Sequence, residues 1–214
     1  MYELPKRLFD FLIAGVLVAV LSPLLLAIAV AIRLGSRGPA VFRQERAGRG
    51  GKPFTLYKFR TMRLGTDPLG PSPRSGEDPR LTRLGRFLRE HSLDELPQLL
   101  NIVKGDMSFI GPRPLYMSQV HEWDERQKKR LLATPGLTGL AQIRGRGELT
   151  LEEKLELDVR YVEQSSLWLD ARILLATAAR VFARSGVYEK RYSQAEPTRG
   201  DEACGRKENP GRPG

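Results

Sequence analysis

The chain is poor in the residues that build cross-linked or metal-clustered proteins. Its 214 residues include one cysteine, Cys204, two histidines, and only 7% aromatics. A single thiol excludes an intrachain disulfide framework and a thiolate metal cluster, and a body without them suits a reducing, cytosol-facing compartment. His91 and His121 show no metal-ligand spacing, so neither is assigned a role. Acidic residues are in the minority, 25 against 35 Lys and Arg, for a formal net charge of +10. That balance calls for an anionic partner: a nucleic acid, a phospholipid surface or a phosphorylated small molecule. Nucleic acid is disfavoured, because it is held by bases stacked on rings among the cations and the 144–146 basic cluster has no aromatic residue. There is no internal repeat, and the length allows one domain with appendages.

Long apolar runs are scarce as well, with a single one at residues 11–32. It carries no charge, and as a helix it is long enough to cross a hydrocarbon layer of about 30 Å. No small-residue cleavage site followed by a secretory-type domain comes after it, so it is expected to remain in the mature protein. Lys6 and Arg7 precede the run and Arg33, Arg37 and Arg43 follow it, which draws both ends toward the cytoplasm. Ser22 and Pro23 fall at its middle, where proline removes a backbone donor and bends a helix. Two arrangements fit. One is a re-entrant, hairpin-like helix that enters and leaves by one face, with the Ser22 hydroxyl partnering a freed carbonyl at depth; the other is a kinked single span.

The chemistry is concentrated in residues 92–114, SLDELPQLLNIVKGDMSFIGPRP. Ser92 followed by Glu95 predicts a capping box, with Asp94 and Glu95 in the first helical turn. Carboxylates at that end meet the positive pole of the helix dipole, which favours their ionised forms. An ionised Asp is a nucleophile or a metal ligand and not a general acid, although an acid pair can also serve only as a cap. Asp94 is not needed for the cap, and the stiff turn that follows carries Arg113, whose planar fork suits a phosphate.

The remaining segments predict a mostly helical chain with a small hairpin. Short β-favouring runs at 40–43 and 54–59 flank a turn at 48–52 and place Lys58 and Arg60 on one strand face, for which a solvated basic face is the plain reading. Residues 65–78, rich in Gly, Pro and Ser, read as a mobile loop that can act as a lid. Helical spacing recurs at 84–88, 93–103 and 121–132, the last stopping near Pro135. Residues 136–147, GLTGLAQIRGRG, offer a phosphate or nucleotide cradle with Gln142, Arg144 and Arg146, but they lack the ending of a P-loop. A helix over 151–162 bears Asp158 on its polar side, and residues 167–184 form an amphipathic helix suited either to a membrane surface or to the core. Beyond Glu189 the composition is that of a disordered tail.

In order, KRLFD, Ser22-Pro23, RQERAGRGGKPFTLYKFRTM, the 92–114 segment, TPGLTGLAQIRGR and LDVRYVEQSSLWLDARILLAT resemble the bacterial sugar transferase family in its smallest form, the monotopic phosphoglycosyl transferases. The resemblance implies an α/β fold, mostly α with a small β-hairpin. Its expected parts are a re-entrant membrane helix over 1–36, a cytosolic catalytic domain over 37–188 with membrane-surface amphipathic helices, and a disordered polar tail over 189–214. It implies transfer of a sugar 1-phosphate from a nucleotide diphospho-sugar, a UDP-sugar by family expectation, to polyprenyl (undecaprenyl) phosphate at the inner face of the bacterial cytoplasmic membrane, with release of UMP. Asp94 would be the nucleophile of a covalent phosphosugar intermediate, and Glu95 would hold Mg²⁺. Lys58, Arg89 and Arg113 would hold phosphates, Asp158 would orient a basic neighbour, and Gln142 and Arg146 would meet the nucleotide. The chain departs from the family at Leu140, where a tryptophan is frequent. The extra N-terminal membrane helices of larger relatives are not expected, since Met1 stands only a few residues before the apolar run. The alternative is a catalytically silent membrane scaffold in which the acid pair only caps a helix.

Overall fold

The computed structural model describes residues 3–183 and Tyr188, so the polar tail expected over 189–214 lies outside the described residues, as do the side chains of 181–183 and all of Arg184. Helix α1, Glu3–Gly35, is continuous through Pro23. Proline leaves the carbonyl one turn before it without a donor, and the Ser22 hydroxyl donates to that carbonyl, Ala19 O, at 2.8 Å. Much of the helix surface, including Leu8, Phe11, Val16, Val20 and Leu26, is exposed. By length and composition it is able to cross a membrane.

Strands β1, Val41–Ala47, and β2, Pro53–Phe59, form the expected antiparallel hairpin, with Val41 opposite Phe59 and a three-residue 3₁₀ turn at Arg49–Gly51. Residues 65–78 form neither helix nor strand. Helix α2, Arg83–Glu90, is capped by Thr82, whose hydroxyl accepts from Gly85 N at 2.9 Å. A 3₁₀ turn at Leu93–Gln98 then leads into α3, Leu99–Lys104. Strand β3, Ser108–Ile110, runs parallel to β4, Gly136–Thr138, a second small sheet that alternation of residue type does not announce because each strand has only three residues. Between them the single helix expected over 121–132 is instead a 3₁₀ turn at Met117–Glu122, the short α4 at Glu125–Lys128, and a further 3₁₀ turn at Lys129–Leu132. Asp124 explains the break. It caps α4 by accepting from Gln127 N at 2.7 Å, which starts a new helix inside the expected one. Helices α5, Leu140–Arg144, α6, Leu151–Gln164, and α7, Leu167–Ala183, complete the chain.

Two attachments hold the acid-bearing segment in place. Ala14, Leu17 and Leu21 of α1 pack against Leu99, Ile102 and Met107, burying the apolar side of α3. Asn101, with no exposed surface, accepts from Tyr57 N at 3.0 Å and donates to Thr55 O at 2.7 Å, which locks α3 to β2. On α7, Ile173 is fully buried against Ile110, Leu140 and Tyr161, whereas Leu167, Trp168 and Leu175 stand exposed on the other side. The helix therefore serves the core along one stripe and presents apolar side chains outward along another.

Both ends of α1 are tied to the same body. Near its start, Lys6 Nζ donates to Ile110 O at 2.7 Å, Tyr161 Oη at 2.8 Å and Asp170 Oδ2 at 2.5 Å. Just beyond its end, the Arg60 guanidinium donates to Arg37 O at 2.5 Å and Ser36 O at 3.0 Å. Arg60 lies past the end of β2 and is buried there, so it does not share a solvated strand face with Lys58: it turns inward to the carbonyls of the turn that follows α1.

Candidate active site

A cavity of about 390 Å³ opens between the hairpin, the 3₁₀ turn at Leu93–Gln98, the 111–116 turn and α5–α6. Lys58, Arg89, Asp94, Glu95, Arg113, Gln142, Arg146 and Asp158 all line it, so residues far apart in sequence meet in one place. Ser22 and Pro23 do not line it. Close backbone approach builds its wall. A Cβ on Gly111 would lie 2.3 Å from Thr134 O, and one on Gly139 would lie 2.2 Å from Gly111 O, so the Gly111–Pro112–Arg113 turn nests against the strand that starts at Gly136 only because these residues are glycine.

The predicted capping box does not form. Ser92 has φ 56°, in the left-handed region, and its side chain makes no cap bond. Glu95 turns instead to Arg113, whose Nη2 donates to Glu95 Oε1 at 2.8 Å, with Arg146 Nη2 at 3.9 Å. A charge-assisted bond to a guanidinium outweighs the neutral cap bond that the sequence offered.

The two acids sit in opposite electrostatic states. Asp94 is 6% exposed, and no side chain among the described residues is hydrogen-bonded to it. Burial, reinforced by the neighbouring Glu95 charge, pushes its pKa up to about 6, against the pull of Arg89 and Lys58. This reverses the expectation that a helix dipole would favour ionisation, because one 3₁₀ turn has little dipole to set against desolvation. Glu95 is held down at about 2: burial alone would raise it, but the Arg113 and Arg146 guanidiniums override that. Lys58 is lowered to about 8 by burial and by the Arg89 charge.

Asp158 lies on the side of α6 that faces the interior. It is fully buried, with Arg130 Nη2 2.7 Å from its Oδ2 and Arg130 Nε at 3.1 Å from the same atom. Arg130 Nη2 also donates to Arg113 O at 2.5 Å, and the guanidinium lies 4.8 Å from the centre of the Trp123 ring. Asp158 therefore holds Arg130, which holds the backbone of the turn that carries Arg113.

The residues present suit a magnesium ion. Among the described residues no group of three or more His, Cys, Asp and Glu is gathered to cage a metal. Mg²⁺, however, is usually bound through one or two carboxylates together with water and substrate phosphates. Glu95 spends only Oε1 on Arg113, and Asp94 adds a second carboxylate in the same cavity.

Sequence reasoning did not single out Arg46, Tyr116 or Lys154, which also line the cavity. Arg46 lies inside the RQERAGRGG stretch and reads there as one cation among several. Only the register of the hairpin shows which of them points inward.

The model of the family described as bacterial sugar transferase matches residues 1–184, and the chain belongs to that family. It is 44% identical over 191 residues to the uncharacterized sugar transferase EpsL of Bacillus subtilis (strain 168), covering 89% of this chain and 94% of that one. It is 43% identical over 198 residues to the UDP-glucose:undecaprenyl-phosphate glucose-1-phosphate transferase of Caulobacter vibrioides, covering 87% of this chain and 73% of that protein. The enzyme of the same name from Escherichia coli (strain K12) is 39% identical over 194 residues, covering 87% of this chain and 42% of that longer protein.

Proposed function

We propose that the protein transfers a sugar 1-phosphate from a UDP-sugar to undecaprenyl phosphate, the first membrane step in assembling a glycan. The observation that carries this reading is the meeting of a carboxylate without a hydrogen-bonded partner, Asp94, with Lys58, Arg89, Arg113 and Arg146 around one cavity. The relatives named as undecaprenyl-phosphate transferases point the same way.

An Asp94 carboxylate oxygen attacks the phosphorus that bears the sugar. The P–O bond to the nucleoside phosphate breaks, UMP leaves with that electron pair, and the phosphosugar stays on Asp94 as an acyl phosphate. A phosphate oxygen of the polyprenyl acceptor then attacks the same phosphorus, forming the polyprenyl diphosphosugar and restoring the carboxylate. Lys58, Arg89 and Arg113 neutralise the oxygens on which charge gathers, and the Arg130–Asp158 pair keeps the Arg113 turn in place. When bound through Glu95, Mg²⁺ would supply further charge neutralisation to the diphosphate. Gln142 and Arg146 stand in the cavity where the nucleotide would reach.

The proposed topology is monotopic, on the cytosolic face of the inner membrane, with α1 re-entrant. A helix whose two ends are both tied to one globular body, through Lys6 and through the carbonyls of Ser36 and Arg37, does not place that body on one side and its own far end on the other. The bond from Ser22 to Ala19 O satisfies at depth the carbonyl that Pro23 frees. The outward apolar stripe of α7, with Trp168 74% exposed, suits the headgroup region of the same leaflet.

The test is UMP release from a panel of UDP-sugars by purified protein in nanodiscs with Mg²⁺ and undecaprenyl phosphate, comparing wild type with Asp94→Asn. Release by wild type alone supports the reading. No release from any donor by folded protein overturns it.

A further inference from the structure

Arg46, at the inner end of β1, is a half-buried cation that no acid among the described residues pairs with. None of the ion pairs among the described residues involves it. Its Nη2 donates to Gln44 Oε1 at 2.6 Å and its Nη1 to Pro114 O at 3.3 Å, while its Nε is buried with no hydrogen-bond partner. The guanidinium lies 3.7 Å from the centre of the Tyr116 ring, and the charge of Arg113 acts against its own. Burial lowers its pKa to about 10, opposed by the Tyr116 interaction. A neutral amide, a carbonyl and an aromatic face hold the plane of the group but do not balance its charge.

The surroundings are built around this side chain. Gln44, which accepts from it, donates through Nε2 to Pro68 O at 2.8 Å, and the Tyr116 hydroxyl lies 3.5 Å from the same carbonyl. The loop that begins there brings Leu69 and Ser72 over the cavity. Arg46 is thus fixed in orientation, sheltered under a loop and open to the same cavity as Asp94.

We propose that Arg46 is a phosphate-binding residue of this site, its guanidinium completed by the diphosphate of the donor. The proposal deepens the transferase reading and rests on it for the identity of the diphosphate. The stacked plane presents its fork as Tyr116 sets it, and the anion supplies the charge that the fold omits.

Ligand and structural roles predict opposite responses. A cation kept for the ligand costs the empty protein stability, so Arg46→Met leaves Tm unchanged or raises it while binding is lost. A cation kept to hold the Pro114 turn lowers Tm when removed and leaves affinity for diphosphate alone. The experiment is calorimetric titration of inorganic pyrophosphate, and separately of UDP, into wild type, Arg46→Met and Arg46→Lys, with Tm measured on each. The expected result is a Kd at least tenfold weaker for both probes in Arg46→Met and an intermediate loss in Arg46→Lys, which keeps the charge but not the stacked fork. If Arg46→Met does not fold, Arg46→Lys decides on the same readings. Affinities within twofold of wild type in a folded variant overturn the proposal, as does failure of wild type to bind either probe. Binding of pyrophosphate that depends on Arg46, with no UMP released from any donor, upholds the phosphate site and overturns the transferase reading alone.

Discussion

Arg113 donates from Nη2 to Glu95 Oε1 at 2.8 Å, while its own backbone carbonyl accepts from Arg130. The side chain that fixes one member of the acid pair is thus itself fixed from behind by a buried guanidinium. Removing that link by Arg113→Met leaves the half-buried Glu95 with Arg146 at 3.9 Å as its remaining ion-pair partner among the described residues. The Glu95 pKa then rises from about 2, and both the phosphate contact and the orientation of Glu95 are lost. We expect kcat/KM for the donor to fall by about 2–3 kcal/mol, or roughly 30- to 150-fold. Arg113→Lys recovers only part of it, because an ammonium does not reproduce the fork. Steady-state kinetics of both variants against wild type measure this.

Asp94→Asn separates chemistry from fold. Asp94 has a folded-state pKa raised to about 6 from an ordinary value of 3.8, so its ionisation opposes folding as pH rises between those values and at every higher pH. The amide keeps the shape and removes the buried charge. The expected outcome at pH 7 is a Tm equal to or above that of wild type with turnover lowered by at least about a thousandfold, as follows when the attacking group itself is removed. Thermal unfolding and UMP release on one preparation test both halves.

How far the sequence carried these conclusions differs from element to element. The hairpin was readable because its strands are β-favouring and joined through glycines, and the long apolar helix because nothing else in the chain is so long and apolar. The Asp94–Glu95 pair was found, but its surroundings were misread: local spacing offers Ser92 as a cap, and only the folded chain brings Arg113 close enough to take Glu95 away. Asp158 was expected to orient a basic neighbour, but which one was not legible, because its partner Arg130 is 28 residues distant in the chain. The parallel pair β3–β4 was missed for a similar reason, since three-residue strands joined through a long excursion leave no local pattern. Arg46 was passed over in a stretch where cations are common. In each case the missing information was a long-range pairing.

The pH profile should be bell-shaped. Attack requires ionised Asp94, so kcat/KM rises as pH passes about 6. Phosphate binding needs charged Lys58, so kcat/KM falls as pH passes about 8. In Lys58→Arg the upper limb should move to higher pH, because an arginine stays charged through that range. Measuring kcat/KM, which reports groups of the free enzyme, between pH 5 and 10 for both proteins tests the assignment. An upper limb unchanged in a Lys58→Arg protein that still turns over rejects it.

The proposed re-entrant topology makes the Ser22–Pro23 step a test of how α1 meets a membrane. With Ser22→Ala and Pro23→Leu together, position 23 regains a backbone donor, the proline that favours a bend is gone, and the outward apolar surface favours a straight crossing. On that topology a tag on the N-terminus is accessible only from the cytosolic side in wild type and should become accessible from the opposite side in a fraction of the double variant. That fraction should lose activity, because crossing breaks the contacts of Lys6 with Ile110 O, Tyr161 and Asp170.

The Arg130–Asp158 pair should behave differently from an exposed ion pair. Both side chains are 2% exposed, so removing one member leaves the other as an uncompensated buried charge. Asp158→Ala is therefore expected to cost about 3–5 kcal/mol of stability, far more than the 0–1 kcal/mol of a surface bridge. The double variant Arg130→Met/Asp158→Leu replaces the pair with apolar groups and should recover most of that loss. It should not recover turnover, since Arg113 O has then lost the donor that holds its turn. Denaturant unfolding and donor kinetics on the single and double variants distinguish the two effects: recovered stability with turnover still low assigns the pair to positioning Arg113, and recovery of both shows that the pair contributes only to folding.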